Sequence, residues 1–502
     1  MALNSVTFLL FLGVVCVVAY ALPRKIRYIW LLVCSYAFYL YTPTGTLANL
    51  PALALLVGTT LFSYACALGI GKCTKPFLRR LFLGLSLLSC LGILFGFKYT
   101  NFFIDGINSL TGAFGTASPI SHVNLLMPLG ISYYILQAVG YTVDVYTGTL
   151  APEANPIRYA LFVGFFPGIV TGPINRAGSM LPQYKNPPAF DYNRVAGGLF
   201  RVLWGIFKKM VIADTIGQYT AAVFATPAHY AGPQLLLAAL LFAYQLYADF
   251  GGTCDIAIGA AQMLGFTFAE NFNRPFAAKT FAGLWQRWHI SLTSFFRETV
   301  FTPLVWSRWT EKIPFIGKKF TKPPTASSVF IIFALSGLWH GPHVNYVVWG
   351  LLNGALMVFS STKLNKKRDK LAAKIPLYRA RHLRGFCQRV LVYLLFAGCL
   401  VFFAAALYQF PVSSWAAGLL NGWDTLFTSF AALNTVLGLD FTTMLLLAGC
   451  IVLVEAVEKC GNVAGWIRRR GWFIRWPLYI LLLAMLLVFG KLGQSPAIYQ
   501  QY

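Results

Sequence analysis

The chain has 502 residues, 58% hydrophobic and only 11% charged, where a soluble domain carries about 25% charged residues. That leaves too little polar surface to wrap a core of this size, so lipid must cover much of the outside and an ordinary soluble fold is excluded. Forty Lys and Arg against fifteen Asp and Glu give a formal charge of +25, yet the cations cluster between apolar runs. That is the positive-inside pattern of a membrane protein, and no nucleic-acid-binding module accompanies it.

In chain order, the first apolar run, 6–20, lacks a basic segment ahead of it; the positive charge follows, at Arg24, Lys25 and Arg27. It therefore reads as a span and not as a cleaved signal. Runs at 50–70 and 81–97 follow, with a hairpin-like break at "YTPTG" (41–45). Residues 101–125 are rich in Gly, Ser and Asn and read as a loop. Residues 1–125 are thus N-terminal spans. From 126 to 361 the runs shorten and Pro, Gly, Asp, Asn and Arg intrude, as in "FFPGIVTGPINR", which predicts a re-entrant or kinked segment. Irregular backbone at membrane depth is tolerated only where protein buries it or it lines a cavity, so any catalytic core is expected here. Residues 362–502 form a basic loop followed by spans near 391–410, 444–456 and 476–489.

The sum is one all-α polytopic membrane domain over 1–502, with about 11–13 membrane segments, several short or re-entrant. Five basic clusters (24–27, 72–80, 312–322, 363–389 and 459–475) are assigned to the cytoplasmic side of a cell (plasma or inner) membrane, which puts both termini outside. The ten cysteines stand singly without CxxC spacing, so neither a disulfide frame nor a metal site is expected.

Six histidines are present. His122, His229 and His382 read as surface residues whose neighbours give them nothing to act on, and His343 as a turn residue. His289 lies in "LWQRWHISLTSFF", where Leu284, Trp285, Trp288, His289, Leu292 and Phe296 share one face of a predicted amphipathic helix. His340 lies in "SGLWHGPHVNYVVWG". A neutral imidazole enters a low-dielectric site more cheaply than a carboxylate or an ammonium, and it is also a general base. For both residues two readings stay open from the pattern alone: a packing histidine bonded to a neighbour, or a catalytic one. No GxSxG nucleophile motif occurs.

Asp249 and Asp255 stand six apart in "YADFGGTCDIAIG", with Gly251 and Gly252 between them suggesting a broken helix. They are either an acid/base pair or, the favoured reading, structural carboxylates satisfying arginines such as Arg274 or Arg287, or freed backbone N–H groups. "ENFNRP" reads as a polar turn in which Asn273 and Arg274 are candidate ligand contacts, Arg274 for a carboxylate or phosphate.

Five stretches taken together resemble the membrane-bound O-acyltransferase family: "MPLGISYYILQAVGYTVDVY", "FFPGIVTGPINR", "YADFGGTCDIAIGAAQMLGFTFAENFNRPF", "LWQRWHISLTSFFRE" and "GLWHG". The chain looks most similar to the bacterial alginate O-acetyltransferase branch, with the teichoic-acid D-alanyl transfer branch close by. The resemblance implies a helical bundle around a central funnel or tunnel, with His340 as the catalytic histidine and His289 as a second histidine nearby. It implies that Trp288 and Trp339 shape the tunnel; Trp285, Asp249, Asp255, Asn273, Arg274 and Arg287 are further candidates to contact substrate or line it. It implies no metal and no bound cofactor. The acyl group, most simply acetyl, would come from acetyl-CoA or an acyl-carrier thioester on the cytoplasmic side, where basic loops attract phosphates or an acidic carrier protein. The acceptor would be a glycan or cell-wall polymer hydroxyl outside, reached directly or through an SGNH-type partner.

The chain also departs from the family pattern. "FTPLVWSRWTEK" replaces a Gly-Gly-Asn-bearing run, Glu298 stands for the usual Asp, and "VTGPINR" and "DFGGTCD" vary their motifs. These changes bear on acceptor and partner more than on the chemistry. Two rivals of another class are a polysaccharide or lipid transporter, which predicts an internal repeat that the sequence does not display, and a secretion-complex scaffold, which needs none of the polar motifs.

Overall fold

The computed structural model describes residues 1–41, 49–114, 120–125, 127–302, 326–360, 381–423, 441–459, 461 and 471–490. All regular elements among them are helical. In chain order they are α1 (Val6–Ala21), α2 (Arg27–Leu40), α3 (Leu50–Lys72), α4 (Pro76–Ala113), α5 (Ile131–Thr147), α6 (Pro156–Gly164), α7 (Phe166–Ile169), α8 (Ala177–Lys185) and α9 (Tyr192–Phe207), the last running into a π-helical turn, Lys208–Ala213. After these come α10 (Asp214–Ala225), α11 (Gly232–Met263), α12 (Phe281–Trp285) and α13 (Ile290–Phe295), with a second π-helical turn at Phe296–Phe301. The chain closes with α14 (Ala326–His340), α15 (Val344–Ser360), α16 (Arg381–Leu407), α17 (Val412–Leu419), α18 (Phe441–Lys459) and α19 (Trp472–Phe489).

Five of these, α3, α4, α11, α16 and α19, are long and apolar enough to cross a bilayer, and α1, α2, α14 and α15 are shorter apolar helices. The protein is a multi-pass helical membrane protein. The "YTPTG" break beyond Tyr41, the run "PLVWSRWTEK", the basic cluster 312–322, most of 363–389 and 459–475, and the terminal "SPAIYQQY" lie outside the described residues.

Two compact units divide the described residues: Met1–Leu203 with Thr253–Ala269, and Trp204–Gly252 with the described residues from Glu270 to Gly490. In the first, Asn155 caps α6 by accepting from the backbone N–H groups of Ile157 (2.9 Å) and Arg158 (3.2 Å). The helix stops at an extended Phe165 and resumes as the four-residue α7. Phe166 N–H donates instead to Ser35 Oγ (3.2 Å), so the expected kink in "FFPGIVTGPINR" is present and its freed donor is satisfied inside the protein.

The reading of 101–125 as a loop is corrected, because α4 runs on to Ala113 over 38 residues. At 1.5 Å per residue that is about 57 Å, well past a hydrocarbon core of ~30 Å. The asparagines that suggested a loop serve the helix. Asn101 and Asn108 each make two side-chain bonds (2.8–3.1 Å) to the backbone of Val123 and Ile120, tying the returning chain to it.

The break expected at Gly251–Gly252 is also absent, and α11 is one helix of 32 residues. A Cβ on Gly252 would stand 2.7 Å from the carbonyl oxygen of Gly205. The glycine is there so that two backbones can touch, and burial overrides its weak helix propensity. The same device joins α14 to α15: a Cβ on Gly337 would fall 2.2 Å from Tyr346 O, and one on Gly350 would fall 2.1 Å from Phe333 O. That tight pair holds His340 at the last position of α14.

Candidate active site

The segment carrying His289 is not the single amphipathic helix that its spacing predicts. α12 starts with Thr280 Oγ1 accepting from Gly283 N–H (3.0 Å) and ends at Trp285. Trp288 and His289 then form a corner in which His289 takes a left-handed backbone, φ 44° and ψ 52°, before α13 begins. The reason lies in the preceding turn. Ile290 N–H donates to Asn271 O (2.9 Å) and Asn273 N–H to Arg287 O (2.9 Å), while Arg287 Nη1 donates to Asn273 O (3.2 Å). Residues 271–273 thus take the hydrogen bonds that a continuous helix would have kept for itself.

At this corner the Oδ1 of Asn271 gathers three donors: His289 Nδ1 (3.1 Å), Ser291 N–H (3.2 Å) and Ser291 Oγ (2.9 Å). Asn271 and His289 are each 1% exposed. Phe250 stands edge-on to the imidazole with ring centroids 4.7 Å apart. His289 lies outside the membrane-span candidates, and burial pushes its pKa down to about 3, so the ring is neutral at ordinary pH.

His340 is also buried, at 3% exposure. Around its ring stand Trp339 (4.9 Å), Trp349 (5.1 Å) and Phe403 (5.2 Å). Trp339 reaches the other histidine as well, at 6.2 Å from His289, so a single indole joins the two imidazoles. Trp285 packs on Phe333 (4.8 Å) and Trp349 (6.0 Å). Trp288 packs on Phe272 (5.1 Å) and Phe396 (4.9 Å). The indole nitrogens of Trp285 and Trp349 are buried with no acceptor among the described residues. Five of the expected site residues (His289, His340, Trp285, Trp288 and Trp339) therefore meet in one aromatic enclosure.

The polar candidates fall elsewhere. Asp249 is bound by Lys209 Nζ at 2.7 Å, and the same ammonium holds Asp214 at 2.6 Å. In the other unit Asp255 pairs with Arg201 at 2.9 Å. Six residues apart on an unbroken helix, the two carboxylates leave on different faces. Both carboxylates are held in ion pairs, with Lys209 and Arg201 where Arg274 or Arg287 had been expected. Asn273 is exposed, and its backbone, with Arg287, builds the corner. Arg274 is half-buried with a left-handed backbone, φ 48°, and its Nε has no acceptor among the described residues.

His229 and His382 are exposed, and His343 accepts from Asn345 N–H (3.1 Å) in the turn before α15. His122 differs from expectation: its Nε2 lies 2.5 Å from the carboxylate of Asp105. That pair is exposed, a kind worth little energy. Sequence reasoning missed Asn271, Phe250, Trp349 and the buried lysines. Two adjacent lysines inside the apolar run "GIFKKMVIAD" were a legible sign of the last, since buried ammonium groups need carboxylates.

Residues 31–362 match the model of MBOAT, the membrane-bound O-acyltransferase family. The chain is 35% identical over 354 residues to the probable alginate O-acetylase AlgI of Pseudomonas putida, which is 70% of this chain and 68% of that protein. It is 32% identical over 370 residues to the peptidoglycan O-acetyltransferase of Helicobacter pylori, covering 68% and 66% respectively. It is also 32% identical over 255 residues to the teichoic acid D-alanyltransferase of Bacillus subtilis, covering 49% and 62%. With a multi-pass helical fold and two imidazoles meeting on one indole inside it, the chain belongs to the membrane-bound O-acyltransferase family and is an O-acyltransferase.

Proposed function

We propose that this protein moves an acyl group, acetyl by preference, from a cytoplasmic thioester to a hydroxyl of an extracytoplasmic polysaccharide or cell-wall polymer. Transfer is direct or passes through an SGNH-type partner. The donor is acetyl-CoA or an acyl-carrier thioester. His340 is the general base: the hydroxyl oxygen attacks the thioester carbonyl, its proton passes to the imidazole, the C–S bond breaks, and the proton leaves with the thiol. His289 orients the reactants or stabilises the developing oxyanion, and the buried indole N–H groups of Trp285 and Trp349 are further donors for that oxygen.

A passage reaching His340 from both membrane faces belongs to this reading, as do a plasma or inner membrane location, cytoplasmic basic clusters and extracytoplasmic termini. The observation that carries it is the shared contact of Trp339 with both imidazoles. Neither a transport pathway nor a scaffold requires that arrangement. Acetyl is preferred to D-alanyl because the relatives with the longer aligned stretches carry acetyl-transfer names.

The test uses inverted membrane vesicles holding the full chain and given labelled acetyl-CoA. Label should enter polymer, and His340→Ala should abolish that entry. Full transfer by His340→Ala sinks the role of that residue, and incorporation of D-alanine but not of acetyl favours the second chemistry.

A further inference from the structure

We propose that Asn271 is a positioning residue that holds His289 as the tautomer protonated on Nδ1, so that Nε2 is the basic nitrogen offered to the reaction. The inference rests on the orienting role given to His289 above, because a lone pair on Nε2 can accept from the attacking hydroxyl but cannot donate to an oxyanion.

The orientation of the Asn271 amide follows from chemistry. A backbone N–H can only donate, so the side-chain atom 3.2 Å from Ser291 N is the carbonyl oxygen and not the NH2 group. Ser291 Oγ donates to the same atom at 2.9 Å. The third neighbour of that oxygen is His289 Nδ1, at 3.1 Å. An amide oxygen has no hydrogen to give, so Nδ1 must carry one. In a neutral imidazole the other nitrogen, Nε2, then keeps its lone pair.

The backbone enforces the same pairing. Asn271 O accepts from Ile290 N–H at 2.9 Å, so one asparagine holds the His289 ring and the two residues that follow it through main chain and side chain together. His289 holds this bond from a left-handed backbone, φ 44° and ψ 52°. The geometry explains why the corner exists: it converts a ring that could protonate on either nitrogen into one with a fixed polarity.

Two arms test this with the full chain in lipid bilayers. The first measures the 15N spectrum of histidine-labelled protein by solid-state NMR, with His289 identified by its loss in His289→Gln. Wild type should show the proton on Nδ1, and Asn271→Leu should populate the other tautomer. A proton on Nε2 in wild type, or an unchanged tautomer in Asn271→Leu, overturns the proposal.

The second arm measures labelled acetyl transfer from acetyl-CoA into polymer by membranes in which thermal melting confirms folded protein. Asn271→Leu should lower kcat at least tenfold with the KM for acetyl-CoA nearly unchanged. Asn271→Asp, which keeps an acceptor oxygen, should recover part of that loss. The loss should not add to that of His289→Gln, because both act through one ring. Additive losses overturn the proposal. Full transfer by His289→Gln instead sinks the role of His289 in the reaction, and the NMR arm judges the tautomer separately.

Discussion

Trp339 stands edge-on to His289, with ring centroids 6.2 Å apart and planes at 66°. It is the neighbour of His340 in sequence and in space, so its indole contacts both imidazoles. Trp339→Ala should cost far more transfer activity than Trp339→Phe, which keeps an aromatic edge. The comparison is made as kcat in the labelled acetyl assay, and equal activity of the two variants would deny the indole its bridging role.

His340→Ala should lower transfer by roughly 10²–10⁴-fold, the range that a positioned general base supplies. His382→Ala, at an exposed histidine, should stay within twofold of wild type, about the scatter of neutral surface changes. Parallel rates measured in one membrane preparation separate a chemical role from a loss of expression.

Lys209 sits between Asp214 and Asp249 with all three buried. Lys209→Met leaves two carboxylates without their cation and should destabilise the protein by about 3–5 kcal/mol. Lys209→Met combined with Asp214→Asn and Asp249→Asn should recover much of that, since no charge is then stranded. Melting of the purified variants in detergent checks both outcomes. Asp249 is thus expected to act on stability, with little effect on KM.

Burial holds the folded-state pKa of His289 near 3, against about 6.5 for an unfolded imidazole. Between those values the unfolded chain binds a proton that the folded site refuses. Stability is therefore fully present above about pH 6.5 and is lost as pH falls from there toward 3, by about 1 kcal/mol per pH unit. The melting temperature should fall from pH 6.5 to 5 in wild type and fall less in His289→Gln. Identical slopes would place the acid sensitivity elsewhere.

Gly337 and Gly350 allow α14 and α15 to touch through backbone atoms at 2.1–2.2 Å from where a Cβ would lie. Gly337→Val should spread the pair, move His340 and reduce both melting temperature and transfer. Gly84→Ala, with open space around its Cβ, is the control and should change neither.

Much of the site was legible in the residues themselves. The pattern singled out two histidines beside tryptophans but left packing and catalytic readings open, and the family resemblance is what marked them as one site. The multi-pass helical class followed from composition, because so little polar surface cannot cover a soluble core. The kink in "FFPGIVTGPINR" followed from its prolines. What failed were local rules overruled at a distance. The Gly251–Gly252 pair looked like a helix break and is a close-contact surface within α11. The asparagines of 101–108 looked like loop and are clamps on α4. "LWQRWHISLTSFF" looked like one helix because its apolar spacing is helical, but spacing says nothing of a neighbouring strand of chain that competes for the backbone donors.

Composition and charge pattern by themselves determined that this protein lives in lipid, that it is helical, and that it carries a small set of imidazoles and indoles suited to base chemistry. Only the tertiary structure decided which groups meet. Trp339 bridges His289 and His340, Lys209 claims Asp249, and Asn271 grips the corner before α13. The reason is physical: hydrophobicity and helical period are properties of residues near one another in the chain. A hydrogen bond between residues 271 and 289, or a ring contact between 289 and 339, exists only after folding has closed the loops that separate them.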